Sequence, residues 1–264
     1  MIIDIAEMKD TWKGESALFV GCGPLSGHKW KEMNWSPRIL AANSSIVHLR
    51  GMADEMICVE SVGWGMDWMR DPSYRQPRIV NSKLREASRG LAEGDATTWC
   101  YVDRNEMDEM RRWEMDRDPR EYGGGLMDGS LVFPYFSLGT VCFQGLHYLC
   151  YKGVTHADSV GFDFCFADDG REHWTEDARP FSAAREKEWI NVTKDCWITV
   201  SYHGRKYPTI WAFAMSAAWC AKMRRYFKRA GMTWTDHSDG LLQIPGIEQL
   251  EQYKDDPPHD VEVV

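Results

Sequence analysis

The sequence predicts an α/β fold in which a Rossmann-like, mostly parallel sheet is flanked by helices and carries a smaller cap or lid region. Short apolar runs recur along the chain between longer polar connections, which is the pattern of parallel strands joined by crossovers. The first run, residues 17–20, stops at a glycine-bounded turn, as strands of such folds often do. Two longer stretches, 139–152 and 208–230, are each followed by glycine, a common helix stop.

The individual elements follow in chain order from these signals. Apolar runs bounded by glycine, proline or small polar residues predict strands at residues 17–20, 38–43, 55–59, 98–102, 157–164 and 232–235. A first helix is predicted over 139–152, because its apolar residues share one face and Gly153 follows. A second helix is predicted from Pro208 to Ala230, since proline suits a helix start and Gly231 follows.

The remaining segments divide the chain around one domain, expected to span residues 1–250. Residues 103–129 are dense in charge and methionine and contain three consecutive glycines, so we expect an insertion that is either a lid or an inert surface excursion. Residues 165–208 are polar and irregular, which indicates a cap-like segment. Residues 251–264 carry two prolines and several acids, so they are expected to form a flexible tail.

Composition limits the classes of partner. The net charge of −9 disfavours passive binding to nucleic acid, although residues 222–229 are locally basic and read as a helix end. No signal-peptide pattern and no apolar run of membrane-spanning length is present. The eight cysteines are scattered without a Cys-x-x-Cys pair, so we expect reduced thiols in a cytoplasmic protein without a zinc knuckle.

The turn after the first predicted strand is the best candidate for a ligand site. It reads Gly21-Cys22-Gly23-Pro24, and glycines there allow phosphate to approach the backbone while the following turn offers N–H groups. It lacks both the full dinucleotide fingerprint and the lysine of a P-loop, and plain turn chemistry is the alternative. Because the turn directly follows the first predicted strand, the sequence predicts that the domain binds a nucleotide.

A second candidate follows the second predicted strand, where Asn43 and Ser44 stand. Ligands of open parallel sheets bind beyond the carboxyl ends of the strands. An asparagine there can hydrogen-bond a ribose or a base edge. The alternative is an Asx turn without a ligand.

These motifs together resemble a known group of enzymes. The run from Phe19 to Pro24 is similar to the Gly-Asn-Gly-Pro-Ser motif of small bacterial sialyltransferases and of the related motility-accessory-factor glycosyltransferases, in which an asparagine also ends the second strand. The small-residue turn at 137–140, the helix after it and Gly161-Phe162-Asp163 continue the likeness, and Ser238-Asp239-Gly240 echoes it. Cys22 stands where the family has asparagine, and the tyrosines expected within 165–174 are missing.

The resemblance implies a metal-independent glycosyltransferase that moves a sugar from a nucleotide-sugar donor to an acceptor hydroxyl of a glycan, a protein or a modified nucleic-acid base. It implies no cofactor, because the nucleotide-sugar is the substrate. The implied donor-binding residues are Gly21, Cys22, Gly23, Pro24, Asn43, Ser44, Ser137, Gly139, Thr140, Asp163 and Gly240. His28 is expected to cap or bind nearby.

The resemblance also implies a histidine base before the late helix, a position that His203 occupies. Tyr202, Arg205, Lys206 and Tyr207 would then serve the leaving phosphate. His173 is the alternative base.

Two other functions stay open at this point. A pyrophosphokinase-like phosphotransferase on the same fold would use a divalent metal, for which Asp163, Asp168 and Asp169 are candidates. A non-catalytic nucleotide- or sugar-binding protein would need only the two strand-end loops.

Overall fold

Two sheets and two α-helices form the part of the chain that the computed structural model describes, residues 2–33, 38–58, 74–81, 99–102, 141–168, 197–253 and 258–263. The strands are β1 (Ile2–Asp4), β2 (Ser16–Val20), β3 (Arg38–Ala42), β4 (Glu55–Cys58), β5 (Arg78–Asn81), β6 (Trp99–Val102), β7 (His156–Val160), β8 (Trp197–Tyr202), β9 (Arg205–Ile210), β10 (Thr233–Asp236) and β11 (Asp260–Glu262). The helices are α1 (Cys142–Tyr151) and α2 (Trp211–Arg229).

The main sheet confirms the predicted α/β fold. Its order is β1-β6-β5-β4-β3-β2-β7-β10, and every neighbouring pair is parallel. All six predicted strands are present, and β1 and β5 are additions. From β2 the chain builds outward to β6 on one side, whereas β7 and β10 lie on the other. The strand order therefore reverses between β2 and β7, and such a switch point is where open parallel sheets bind ligands.

Both faces of β2 are buried, which explains its unbroken apolar run. Phe19 faces α1, where a Cβ at Gly145 would lie within 3.0 Å of its ring, so glycine is needed for this close contact. Leu18 faces the opposite side with Trp30 and Ile46. These two come from 3-10 segments, Gly27–Lys31 and Asn43–Val47, whereas the described α-helices cover the first face.

A second, three-stranded sheet in the order β11-β8-β9 forms the cap. It corrects the expectation that 165–208 is irregular, because β8 and most of β9 lie there. It also shifts the start of α2 from the predicted Pro208 to Trp211. Pro208 sits in β9, which is the edge strand of this sheet, and an edge strand tolerates a residue without an N–H.

The predicted flexible tail is corrected in the same way. β11 lies within 251–264 and pairs in parallel with β8. Val261 and Val263 alternate with exposed residues and are buried in the core, so the segment has a half-buried strand pattern. The prolines and acids of this segment predict a tail, but Val261 and Val263 pack it against the core.

A buried charged cluster lies at the amino edge of the main sheet. Lys152, at the end of α1, pairs with Glu55 at the start of β4, and both are almost fully buried. The Tyr148 hydroxyl donates to the other Glu55 oxygen at 2.8 Å, and the Lys152 ammonium lies 3.7 Å from the centre of the Trp12 ring. Burial raises the pKa of Glu55, while the neighbouring ammonium opposes the rise. The cluster joins α1 to the sheet at the edge opposite the switch point.

Candidate functional site

Three loops meet at the carboxyl edge of the main sheet, after β2, β7 and β10. Gly21 N–H donates to Val160 O at 2.8 Å, and Gly23 N–H donates to Gly161 O at 2.7 Å. Leu241 N–H donates to Asp163 O at 2.8 Å. Backbone hydrogen bonds therefore connect the loops on both sides of the switch point.

The glycines of the predicted site allow the loops to approach closely enough for these hydrogen bonds. A Cβ at Gly21 would lie within 3.0 Å of the Gly161 carbonyl oxygen, and one at Gly23 would lie as close to the Asp163 carboxylate. A Cβ at Gly240 would collide with the Asp163 backbone. Each glycine thus allows one loop to approach another, which is a role separate from the approach of a phosphate.

Asp163 is the centre of these contacts. Its fully buried carboxylate accepts hydrogen bonds from Leu25 N–H at 2.7 Å, Ser26 N–H at 3.0 Å and Asp239 N–H at 3.1 Å, and from the Ser26 hydroxyl. Burial raises its pKa, and these hydrogen bonds oppose the rise. The carboxylate shapes the loop after β2 from within.

This arrangement corrects one expectation about the loop. We expected its amides to be open to phosphate, but those of Gly21, Gly23, Leu25, Ser26 and Gly27 all donate to protein oxygens. The internal carboxylate occupies the place of an anion on the loop. A phosphate bound here would need a different source of positive charge.

The loop after β3 supplies an unsatisfied polar atom on the other side of β2. Asn43 has a positive φ of 49°, and its side-chain oxygen is shielded from solvent with no hydrogen-bond partner in the described structure. Next to it, the Cys22 sulfur lies 2.9 Å from the Ser44 hydroxyl oxygen. Ser45 hydroxyl donates to Val20 O at 2.8 Å and holds the turn against β2. A buried oxygen that accepts no hydrogen bond is uncommon, so the Asn43 side chain is the strongest candidate in this loop for contact with a ligand.

The cap sheet meets the carboxyl edge through the segment after β7. Phe166 N–H donates to Pro208 O at 2.8 Å, and Thr209 hydroxyl donates to Phe164 O at 2.7 Å. The positive charge of Arg205 acts on the Cys165 thiol and opposes the rise that burial causes in its pKa. The two hydrogen bonds hold β9, which begins at Arg205, against the segment after β7.

The five residues predicted for chemistry lie on one hairpin, but their side chains point in different directions. Tyr202, Arg205 and Tyr207 share a face of the cap sheet by strand alternation, and the Arg205 guanidinium lies 4.7 Å from the centre of the Tyr207 ring. Lys206 lies on the other face. His203 is exposed in the two-residue turn, with a φ of 48° followed by 78° at Gly204.

His203 lies five residues from Pro208, which is about 17 Å of extended strand. It contacts the Tyr202 ring, with 4.2 Å between the ring centres. Within the described residues, no hydrogen bond joins it to the loops after β2, β7 or β10. Of the predicted site residues, the fold joins the glycine loop, Asp163 and Gly240, sets Asn43 and Ser44 beside them, and leaves His203 at the cap tip.

Several predicted residues lie outside the described part of the chain. They are Ser137, Gly139, Thr140, Asp169, His173 and the insertion 103–129. Asp168 is described and exposed. Among the described residues, no group of three His, Cys, Asp or Glu side chains is arranged to hold a metal ion. The Asp163 carboxylate would have to give up protein donors to bind one.

Two polar pairs at the same edge escaped the sequence analysis. Lys29 Nζ lies 2.5 Å from Asp239 Oδ1 and joins the loop after β2 to the loop after β10. His237 Nε2 lies 2.9 Å from Asp158 Oδ1. Each pair joins positions far apart in sequence, so only the parallel pairing of β2, β7 and β10 reveals it.

Within the described residues, none of the helices is long and apolar enough to cross a membrane.

Comparison with known proteins supports the fold. No family model and no curated protein matches the chain. Among solved structures, it is similar to the MAf glycosyltransferase from Magnetospirillum magneticum AMB-1, with a TM-score of 0.50 and 11% sequence identity. The match covers 98% of this chain and 37% of that protein, so the chain spans little more than a third of its length. At this identity the likeness shows the fold alone, and it agrees with the motility-accessory-factor resemblance rather than with sialyltransferases.

Proposed function

We propose that the protein is a glycosyltransferase that moves a sugar from a nucleotide-sugar to an acceptor hydroxyl. The observation that carries the proposal is the buried, unpartnered oxygen of Asn43 beside the glycine loop at the switch point. Ligands of this sheet class lie at such a point. The likeness to a structure described as a MAf glycosyltransferase gives the reaction class.

In this proposal the donor lies across the ends of β2 and β3. Asn43 accepts a hydrogen bond from the nucleoside, and the pair Cys22–Ser44 lines the same wall. Gly21, Gly23 and Pro24 provide a surface without bulky side chains. Asp163 and Gly240 act indirectly, by holding the loops in place. Ser137, Gly139 and Thr140 complete the proposed donor site.

The proposed chemistry is an inverting displacement. A base removes the proton of the acceptor hydroxyl, whose oxygen attacks the anomeric carbon. The bond between that carbon and the phosphate oxygen breaks, and its electron pair leaves with the nucleotide. We propose His203 as the base, with Arg205, Tyr202 and Tyr207 stabilising the leaving phosphate. Because His203 stands at the cap tip, the acceptor would approach between the cap and the switch point.

A thermal-shift screen with CMP, UDP, GDP and ATP, each with and without Mg²⁺, tests the proposal. Stabilisation by a nucleoside mono- or diphosphate without metal, followed by slow hydrolysis of the matching nucleotide-sugar, is the expected result. Stabilisation by ATP that requires Mg²⁺ would favour a phosphotransferase. Binding without any donor hydrolysis would favour a non-catalytic binding protein.

The variant Asn43→Ala is the matched control for the screen. It removes the shielded side-chain oxygen that would accept a hydrogen bond from the nucleoside, and it should reduce the stabilisation by nucleotide. An unchanged response would place the nucleotide elsewhere.

A further inference from the structure

The loop after β2 needs a cation if it is to hold a phosphate. Its described amides at Gly21, Gly23, Leu25, Ser26 and Gly27 donate to protein oxygens, two of them to the Asp163 carboxylate. These five amides therefore face protein oxygens, and a negative group lies at the centre of the loop. A phosphate approaching this edge is repelled unless a positive side chain faces it.

Lys29 is placed to provide that charge. It belongs to the first turn after the glycine loop, Gly27–Lys31, and its ammonium pairs with Asp239. Asp239 in turn donates its backbone N–H to Asp163 at 3.1 Å. Lys29 is thus two contacts from the carboxylate that shapes the loop.

The pair is of the kind that exchanges partners easily. The Lys29 and Asp239 side chains are 32% and 41% exposed, and ion pairs at such exposure are weak because water screens them. A phosphate carries more negative charge than one carboxylate and offers more acceptor oxygens. It competes effectively for the ammonium.

We propose that Lys29 binds the phosphate of the nucleotide donor, and that it leaves Asp239 to do so. The inference rests on the proposed function and adds to it the residue that neutralises the donor. Asp239 then acts as a competitor for Lys29, so it lowers the affinity of the free protein for nucleotide. The loops after β2 and β10 become coupled through this exchange, because the side-chain tie between them opens when the donor binds.

The opposite signs expected for the two partners make the test sharp. Calorimetric titration of UDP and CMP, and of uridine and cytidine, would be made on the wild type, Lys29→Met and Asp239→Asn. Lys29→Met should weaken binding of the preferred nucleotide by about tenfold or more and leave its nucleoside unchanged. Asp239→Asn should tighten the binding of that nucleotide, because the carboxylate that competes for Lys29 is gone. Lys31→Met, in the same turn, is the control and should bind like the wild type.

Other results would overturn the inference. If Lys29→Met and Asp239→Asn weaken the binding of nucleotide and of nucleoside equally, the ion pair only stabilises the two loops and does not bind phosphate. If Lys29→Met binds nucleotide normally, phosphate is held elsewhere while the proposed function stands. If the wild type binds no nucleotide, both proposals fail together. Melting temperatures measured on each variant separate lost binding from lost folding, and Asp239→Asn keeps the backbone contact with Asp163.

Discussion

At the scale of single residues, Asp163 shows that a short motif can mark a position without revealing the contacts made there. The sequence places an acid at the end of a strand, where ligands are expected. In the structure, its carboxylate receives donors from the loops after β2 and β10. A residue at a ligand-binding edge can therefore act by arranging the loops that meet the ligand.

Gly23 should prove sensitive to substitution because of Asp163, even without a ligand. A Cβ at this position lies within 3.0 Å of the carboxylate, so Gly23→Ala should destabilise the protein by about 1–3 kcal/mol, the range of overpacking. Urea unfolding measures the cost.

Gly51→Ala is the comparison for that measurement. Gly51 has open space around it but a φ of 76°, so alanine there should cost about 1 kcal/mol through backbone strain alone. A Gly23→Ala cost below that of Gly51→Ala would contradict the close contact.

His203 can be tested without disturbing its turn. Asn-Gly is the favoured pair for a two-residue turn with two positive φ angles, so His203→Asn should keep the hairpin and remove the imidazole. If His203 is the base, turnover should fall by about a hundredfold or more with unchanged donor affinity. His237→Ala removes the imidazole held by Asp158 and should keep near-normal turnover. The reverse pattern would assign the base to His237.

At the scale of elements, α1 is attached to the rest of the molecule by unusual polar residues. His147 lies between the Phe143 and Phe227 rings, with ring centres 4.4 Å and 5.2 Å away. At its end, Lys152 is held in the buried cluster with Glu55. Both groups tie stability to charge states that a wholly apolar helix would not have.

His147 predicts a specific dependence of stability on pH. Burial lowers its pKa to about 3, whereas an unfolded histidine titrates near 6.5. Between these values the unfolded chain binds a proton that the folded chain excludes, so stability falls as the pH falls. The stability difference between the wild type and His147→Leu should shift against the wild type by about 2 kcal/mol between pH 7 and pH 5. Urea unfolding at both pH values measures it.

A stability difference between the wild type and His147→Leu that stays constant from pH 7 to pH 5 would show that His147 binds a proton in the folded state as readily as in the unfolded chain.

The buried pair of Lys152 and Glu55 predicts a non-additive effect. Lys152→Met strands a buried carboxylate and should cost about 3–5 kcal/mol. Adding Glu55→Gln removes the charge and keeps an acceptor near the Tyr148 hydroxyl, so the double variant should regain most of the loss. Chemical unfolding of both variants checks this. A double variant as unstable as Lys152→Met alone would show that packing of the lysine stem, and not charge, is what matters.

At the scale of the whole molecule, the sequence predicted the main sheet better than the cap. Apolar runs such as β2 are buried on both faces, so composition alone marks them. In β8 and β9 each strand is half-polar, and Pro208 suggested a helix start. β11 was missed because Val261 within it and Val263 just after it stand among acids and prolines. Local patterns record burial, but they do not record which distant strand supplies the partner.

The candidate site divides in the same way. The glycine loop, Asn43 and the strand-end acid were visible as short motifs. The ties between them were not, because Lys29 with Asp239 and His237 with Asp158 depend on the order of β2, β7 and β10 in the sheet. The order of strands in the sheet decides which strand ends become neighbours, and a short stretch of sequence does not show that order.

The strand order also determines when each strand can pair with its neighbours during translation. β1 has one neighbour among the described strands, β6, which ends at Val102. At about 5–20 residues per second, it waits roughly 5–20 s for its partner. β2 waits longer, because its second neighbour, β7, ends at Val160. β2, an inner strand of the finished sheet, is thus an edge strand for much of the time that the ribosome is making the chain, with one side open to other chains.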